Sequence, residues 1–536
     1  MNFTRIDLSY PKLFKTTLIT LLLVAVIACQ PQSKTPQVVK NNATVEEVGK
    51  TNPNIVIFYV DDLGYGDVGS YGAKGVKTPN IDALAANGIK FTDAHSSSAT
   101  CTPSRYSLLT GEYAFRNKAS VLQGDAALII SPDQPTLASL VKKAGYHTAV
   151  VGKWHLGLGD GVTPIDWNNE VKPGPLEIGF DYSFLLPSTG DRVPAVYLEN
   201  HHVVNLDKSE PLSVSYVEKI GTRPTGYENP ELLIQPADDQ HNKSIINGIS
   251  RIGWMKGGKS AEWKDEDFYQ VFTNKANNFI SKNKAEPFFL FFSFHDIHVP
   301  RVPNEKFQGQ STMGVRGDAI AQMDWITGAI VDHLKSQGVL DNTLILFTSD
   351  NGPVLNDGYG DKAVELLGSH QPAGIYRGGK YSAYEAGTRV PTIIHYPNKV
   401  APGVNNALMS QIDIYASIAS MLDIPLASDE AIDSENFADA WLNHQGKGRS
   451  ELIEEAYTLS LRSTTDSNQW KYISPTENLN DWVMTLKSIE AGLSTSPQLY
   501  NLAIDPEEKH NVADQHSDIV KELAQRINLV VSRTTR

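Results

Sequence analysis

Four apolar runs of strand length constrain this chain more than any other feature, because each one ends in a group of ionisable residues. Asn54-Ile-Val-Ile-Phe-Tyr-Val60 runs into Asp61-Asp62, and His147-Thr-Ala-Val-Val151 into Gly152-Lys153-Trp154-His155. Phe288-Phe-Leu-Phe-Phe-Ser-Phe294 leads to His295-Asp296-Ile297-His298, and Leu344-Ile-Leu-Phe-Thr348 to Ser349-Asp350-Asn351-Gly352. Apolar runs without alternation mark strands buried on both faces, as in parallel sheets covered by helices. Helical patterns between the runs complete the expectation of an α/β fold, a large and mainly parallel sheet flanked by helices. Ligands of such sheets bind at the carboxyl ends of the strands. Taken singly, each ionisable group is an ordinary turn or cap. Four of them at one sheet edge predict a single polar site.

The formal charge, 47 − 61 = −14 over 536 residues, argues against a nucleic-acid partner, which needs a basic face. An anionic ligand would have to be met by local cations and a metal. Two cysteines are present, and the first, Cys29, closes an N-terminal targeting pattern. Arg5, Lys12 and Lys15 precede Leu18–Ala28, apolar apart from Thr20 and shorter than the roughly 20 residues that span a bilayer. Val26-Ile27-Ala28-Cys29 resembles a bacterial lipobox, which implies a signal peptide over 1–28 and lipid acylation of Cys29. Polar residues 29–51 read as a flexible tether. An exported, membrane-anchored protein is expected, at the outer membrane if the source is Gram-negative. The main α/β domain is placed at 52–443, and a smaller α+β subdomain at 444–536.

Cys101-Thr-Pro-Ser-Arg105-Tyr-Ser-Leu-Leu-Thr110-Gly111 is the most informative segment. Pro103 as first helical residue after a Thr102 cap predicts a helix here. Cys101 at its N-terminus predicts a thiol of lowered pKa beside an oxyanion site. These residues resemble the sulfatase family, whose signature is Cys-x-Pro-Ser-Arg followed by Leu-Thr-Gly. The resemblance runs over most of the chain from about Asn52, through Asp61-Asp62, Gly152-Lys153-Trp154-His155, His298-Val299-Pro300 and Ser349-Asp350-Asn351-Gly352. It continues through Gly379-Lys380 and Glu385 to Arg389-Val390-Pro391, with Glu385-Ala386-Gly387 where Glu-Gly-Gly is frequent.

The resemblance implies an alkaline-phosphatase-like fold and hydrolysis of sulfate esters. It implies that a separate maturation enzyme oxidises Cys101 to formylglycine. Asp61, Asp62, Asp350 and Asn351, with residue 101, would hold one metal. An all-oxygen set of that kind suits Ca2+ in preference to Mg2+. In this scheme Asp350 accepts the nucleophile's proton, Lys153 and Lys380 hold sulfate oxygens, and Arg105 fixes the hydrate. His298 protonates the leaving oxygen and His155 breaks the covalent adduct.

Residues 159–263, rich in Pro and Gly, read as loops over the site that set specificity. His241, Asp191, Arg192 and His295 are candidate substrate residues, an Asp–Arg structural pair being the alternative for 191 and 192. Strand alternation separates His295 from His298, and Pro300 favours His298 as the catalytic ring. The expected substrate is a sulfated polysaccharide such as ulvan. The alternatives are a phosphonate monoester or phosphodiester hydrolase, and a non-catalytic glycan-binding surface lipoprotein.

Overall fold

The four apolar runs lie side by side as expected. The computed structural model describes residues 52–465 and 467–536. The segments read as a signal peptide and a tether, with the expected acylation of Cys29, therefore lie outside the described residues. A ten-stranded sheet is built from Asn54–Val60 (β1), Ile89–Phe91 (β2), His147–Lys153 (β3), Tyr182–Leu186 (β4), Leu198–Glu199 (β5), His202–Val203 (β6), Phe288–Ser293 (β7), Thr343–Ser349 (β8), Thr392–His395 (β9) and Gly403–Asn405 (β10). Its order is β10-β2-β9-β8-β1-β7-β3-β4-β5-β6. The central strands β8, β1, β7, β3 and β4 run parallel, while β9 is antiparallel to β8 and β5 to β4. The sheet is thus mixed at its edges and parallel where the site lies.

Register aligns the ends of those central strands. Tyr59 pairs with Ser293, Val60 with Ser349, and Ser293 with Gly152. The next residues along each strand direction, Asp61, Phe294, Asp350 and Lys153, consequently emerge at one edge. Every residue of β1, β7 and β8 is buried, which is why these runs show no polar alternation. Helices flank the sheet: Pro79–Ala86 (α1), Cys101–Thr110 (α2), Leu137–Lys143 (α3), Phe268–Asn283 (α4), Gly314–Ser336 (α5) and Ile414–Met421 (α6). In α4 the buried Phe268, Phe272, Ala276, Phe279 and Ile280 recur at helical spacing and face the core. All ten residues of α2 are buried, so this helix carries no amphipathic pattern by which to recognise it.

Glu451–Ala456 (β11), Thr458–Ser463 (β12), Trp470–Ile473 (β13) and Gln498–Asn501 (β14) form a separate antiparallel sheet. The C-terminal helix, Ser517–Ser532, buries Leu523 and Ile527 in a cluster with Ile453, Leu461, Trp470 and Tyr472 from that sheet. Among the described residues no helix is long and apolar enough to cross a membrane.

Candidate active site

At the aligned strand ends a cavity of about 310 Å3 opens, with Cys101, His155, His298 and Lys380 in its wall. Cys101 is the first residue of α2, two positions earlier than Pro103 had suggested, and Thr100 flanks it without a side-chain cap. Thr102 instead donates to the His155 carbonyl at 2.9 Å, tying α2 to the end of β3. The helix stops at Gly111, whose φ of 68° lies in the left-handed region that glycine occupies at least cost. Gly152 meets a different demand: at φ 114° a Cβ there would sit 1.8 Å from the Ser293 carbonyl oxygen. Only glycine lets β3 approach β7 closely enough to place Lys153.

The charged side chains converge. Arg105 donates from Nη2 and Nε to Asp350 Oδ2 at 2.7 and 3.0 Å, and its Nη2 lies 3.9 Å from Asp61 Oδ1. Lys153 is hydrogen-bonded to Asp61, and Lys380 to Asp62 at 2.9 Å. The Cys101 sulfur lies 3.6 Å from Asp61 Oδ1, and His298 Nε2 lies 3.8 Å from Asp62 Oδ2. Asn351 donates to Asp62 Oδ1 at 2.8 Å, while its own Oδ1 is buried without a hydrogen-bond partner. Asp61, Asp62, Arg105, Lys153, Asp350 and Asn351 are all fully buried. Asp62 and His155 sit at φ 59° and 55°, a backbone conformation that side-chain-bearing residues adopt only when their surroundings enforce it.

Burial and the neighbouring Asp350 push the Asp61 carboxyl well above the usual carboxylate range against the pull of Lys153, and burial likewise raises Asp62. For Asp350 burial acts in the same sense, but Arg105 and Lys153 outweigh it and hold the group low. Burial, then Lys153, keeps His155 well below its ordinary value, and burial with Lys380 does the same to His298. Both rings are therefore neutral, and carbonyls fix their tautomers. His155 Nε2 donates to Leu122 O at 3.0 Å, leaving Nδ1 buried without a partner. His298 Nδ1 donates to Val299 O at 2.6 Å, leaving Nε2 free to exchange a proton.

One expectation is corrected. The Cys101 thiol is not acidified, because burial pushes it well above its ordinary value, and Asp350 and Asp61 add to the rise against Lys153 and Lys380. A helix N-terminus does not compensate for burial beside two carboxylates. The unmodified sulfur is a poor nucleophile here.

The site has a group of side chains placed to hold a metal ion. Asp61, Asp62, Cys101 and His298 each offer an atom within 4.8 Å of the others, and the Asn351 Oδ1, on a side chain that donates to Asp62, is buried without a partner. Three carboxylates at 61, 62 and 350 balance Arg105, Lys153 and Lys380, so an anionic substrate would need further positive charge.

The candidate substrate residues divide. Asp191 and Arg192 line the cavity and are hydrogen-bonded to each other at 2.7 Å. His241 also lines it, 2.6 Å from Asp238 and 3.4 Å from Asp191. Burial alone would lower the His241 pKa, but the two carboxylates outweigh it and raise it. His295 is not in the cavity wall: it packs edge-on against Phe268 and under Gly190, where a Cβ would lie 2.3 Å from its ring. His201 pairs with Glu177 and His202 is exposed, both away from the cavity wall. Asp357, Tyr381, Tyr457, Trp482 and Lys487 line the cavity too, and the sequence reading passed over them. Lys487 ends the helical turn Val483–Lys487, Trp482 immediately precedes it, and the other three come from loops and turns. Only the adjacency of Tyr381 to Lys380 could have flagged one of them.

Fold and site together define a hydrolase of anionic esters built on an alkaline-phosphatase-like sheet. The sulfatase family model matches residues 53–424, and the chain belongs to that family. It is 50% identical over 485 residues to an N-acetylgalactosamine-6-O-sulfatase of Bacteroides thetaiotaomicron, covering 90% of this chain and 93% of the relative. It is 28% identical to the steryl-sulfatase of Rattus norvegicus, covering 88% and 87%. A solved structure from work on the metabolism of multiple glycosaminoglycans by Bacteroides thetaiotaomicron superposes with a TM-score of 0.87 at 49% identity. That match covers 90% of this chain and all of the other. The protein is a sulfatase, a hydrolase of sulfate esters.

Proposed function

We propose that this sulfatase removes a 6-O-sulfate from an N-acetylhexosamine of a sulfated glycan, using formylglycine made from Cys101 and one calcium ion. The reaction type is carried by the convergence of Cys101 and Lys380, in the cavity wall, with Asp61, Asp62 and Lys153 buried directly behind them. The half-identical relative, an N-acetylgalactosamine-6-O-sulfatase, supports the sugar. So does the polar wall: Gln123, Asp191, Arg192, Gln240 and His241 offer hydroxyl partners that an aryl or steryl group could not satisfy. Nothing in the relatives' names or the wall points to ulvan. The lipobox-like segment supports export and acylation at Cys29.

Asp61, Asp62, Asp350 and Asn351 would hold the cation, and the aldehyde hydrate with calcium would supply an oxygen nucleophile and a Lewis acid. Lys153 and Lys380 bind and orient the sulfate oxygens. Arg105 holds Asp350 ionised, so that Asp350 can take the proton of an attacking hydroxyl. His298, neutral in the resting site, has to take up a proton from water at Nε2 before it can pass that proton to the leaving alkoxide, after which the ring is neutral again. His155 Nδ1, the unpartnered nitrogen, accepts the proton of the second hydroxyl at position 101.

Mass spectrometry of the peptide carrying residue 101 should find an aldehyde in place of the thiol. Among sulfated substrates, 6-O-sulfated N-acetylgalactosamine should be turned over fastest. Faster hydrolysis of an aryl phosphonate ester than of any sulfate would overturn the reaction class, and preference for an aryl sulfate would overturn the sugar. Full activity in Cys101→Ala would remove the nucleophile.

A further inference from the structure

One wall of the cavity has no part in the chemistry. Tyr381, Tyr457 and Trp482 line it beside Cys101 and Lys380, yet none offers charge to a sulfate or oxygen geometry to a cation. They come from separate stretches. Tyr381 follows Lys380, Tyr457 is the residue joining the antiparallel β11 and β12, and Trp482 precedes the helical turn Val483–Lys487. The rings nonetheless form one cluster. Tyr381 and Trp482 meet edge to face with centroids 5.2 Å apart, Tyr457 and Trp482 at 6.0 Å, and Tyr381 lies nearly parallel to Tyr457 at 6.4 Å.

The cluster is held in place and left uncovered. Tyr381 and Tyr457 sit at φ 73° and 45°, a strained conformation that persists where the surroundings impose it. Lys487, at the end of the Trp482 segment, lies 2.7 Å from Asp357 Oδ1, and Asp357 Oδ2 accepts from Lys380 at 2.8 Å. A single carboxylate thus ties the aromatic segment to the lysine assigned to sulfate. Even so, Tyr457 is 44% and Trp482 36% exposed, and large aromatic faces open to water at a cavity mouth mark a surface awaiting a ligand.

The size of the cavity selects the occupant. About 310 Å3 is at the small end for ligand sites and accommodates one sulfated ring, so the next ring of an oligosaccharide lies outside it, where the exposed faces of Tyr457 and Trp482 can meet it. Sugar rings present flat faces of polarised C–H groups, which rest favourably on the electron-rich face of an aromatic ring. The geometry points to a stacking subsite at Tyr457 and Trp482, backed by Tyr381, for the sugar linked to the sulfated one; this rests on the sulfated-sugar reading above. The small C-terminal sheet thereby acts in substrate selection.

The experiment compares kcat/KM on 6-O-sulfated N-acetylgalactosamine and on a disaccharide carrying it at the non-reducing end. Wild-type protein, Trp482→Ala, Trp482→Phe and Tyr457→Ala are measured. The disaccharide-to-monosaccharide ratio should fall about tenfold in each alanine variant, mostly through KM. Trp482→Phe, which keeps a ring face, should recover part of it. Turnover of neither sugar by wild type removes the sulfated-sugar reading and the subsite with it. Turnover of both by wild type, with the ratio unmoved in the variants, removes the subsite alone.

Discussion

Arg105 shows how closely charge is balanced in this cavity. Its guanidinium is fully buried and grips Asp350 through two nitrogens. Arg105→Ala leaves Asp350 ionised and unpaired, and breaking a buried pair from one side costs about 3–5 kcal/mol. Urea unfolding should register that loss, and a shift below ~1 kcal/mol would mean that water reaches Asp350. A second carboxylate, Asp67, anchors the turn after Asp62 by accepting from Gly64 N–H at 2.8 Å. Arg316 and His370 hold it from the other side at 2.7 and 2.8 Å. Burial would raise this group, but Arg316 and the His370 hydrogen bond lower it to about 2. Because the folded pKa is depressed, the stabilisation is present above the unfolded value near 4 and is lost as pH falls toward 2, about 2 kcal/mol in all. Asp67→Asn should therefore reduce stability at pH 7 and flatten the acid limb between pH 4 and 2. An unchanged acid limb would assign the effect to other groups.

Among the elements, four of the five parallel strands were legible in the sequence because burial on both faces writes itself as an unbroken apolar run. The ionisable residues beyond them were legible because the run ends abruptly. The fifth parallel strand, β4, lies with β5 and β6 in residues 159–263, read there as loops, because its five residues are too short a run to stand out among the Pro- and Gly-rich segments around it. Helix α2 was legible only through its motif, and its start was misplaced, because a helix buried all round has no periodic stripe. The acidity of Cys101 was misread for a related reason: the helix end is local in sequence, whereas the burial and the two carboxylates that oppose it arrive from β1 and β8. Asp357, Tyr457 and Trp482 were illegible because irregular segments bring them together without periodicity. Gly152 makes the dependence between elements testable. A Cβ there collides with the Ser293 carbonyl at a backbone angle alanine adopts only under strain. Gly152→Ala should cost more than ~1 kcal/mol and, by pushing β3 from β7, should lower kcat through displacement of Lys153. Wild-type melting temperature and kcat in this variant would show that the two strands have slack.

At the scale of the molecule, the two sheets are joined by buried charge. His95 lies 2.9 Å from Asp93 and 2.8 Å from Glu454, Arg389 reaches Glu385 at 2.8 Å, and Lys471 pairs with Glu454 at 2.8 Å. Arg462, from β12, binds both Asp93 and Glu385. Asp93, His95 and Glu385 could by position hold a metal, but three cationic side chains already answer their charge, which marks a structural ion network. Glu508 is the odd member. It is fully buried and accepts from the Glu385 N–H at 2.7 Å, while its other oxygen has no partner. Burial, reinforced by Glu385 and Glu454 against Lys471, pushes its carboxyl up to about 8. The folded protein thus keeps this group protonated where the unfolded chain, with a carboxyl near 4.3, has lost the proton. Folding then takes up a proton between those values, so this group's contribution to stability declines as pH rises from about 4 to 8 and is fully unfavourable above that. Glu508→Gln keeps an acceptor for Glu385 N–H and removes the titration. Its melting temperature should exceed that of wild type at pH 9, and the difference should shrink as pH falls through 6 toward 4, where Glu508 is neutral in the folded and increasingly in the unfolded chain. A variant less stable than wild type at pH 9 would show that Glu508 is ionised in the seam and pairs with Lys471 as a fourth anion of the network.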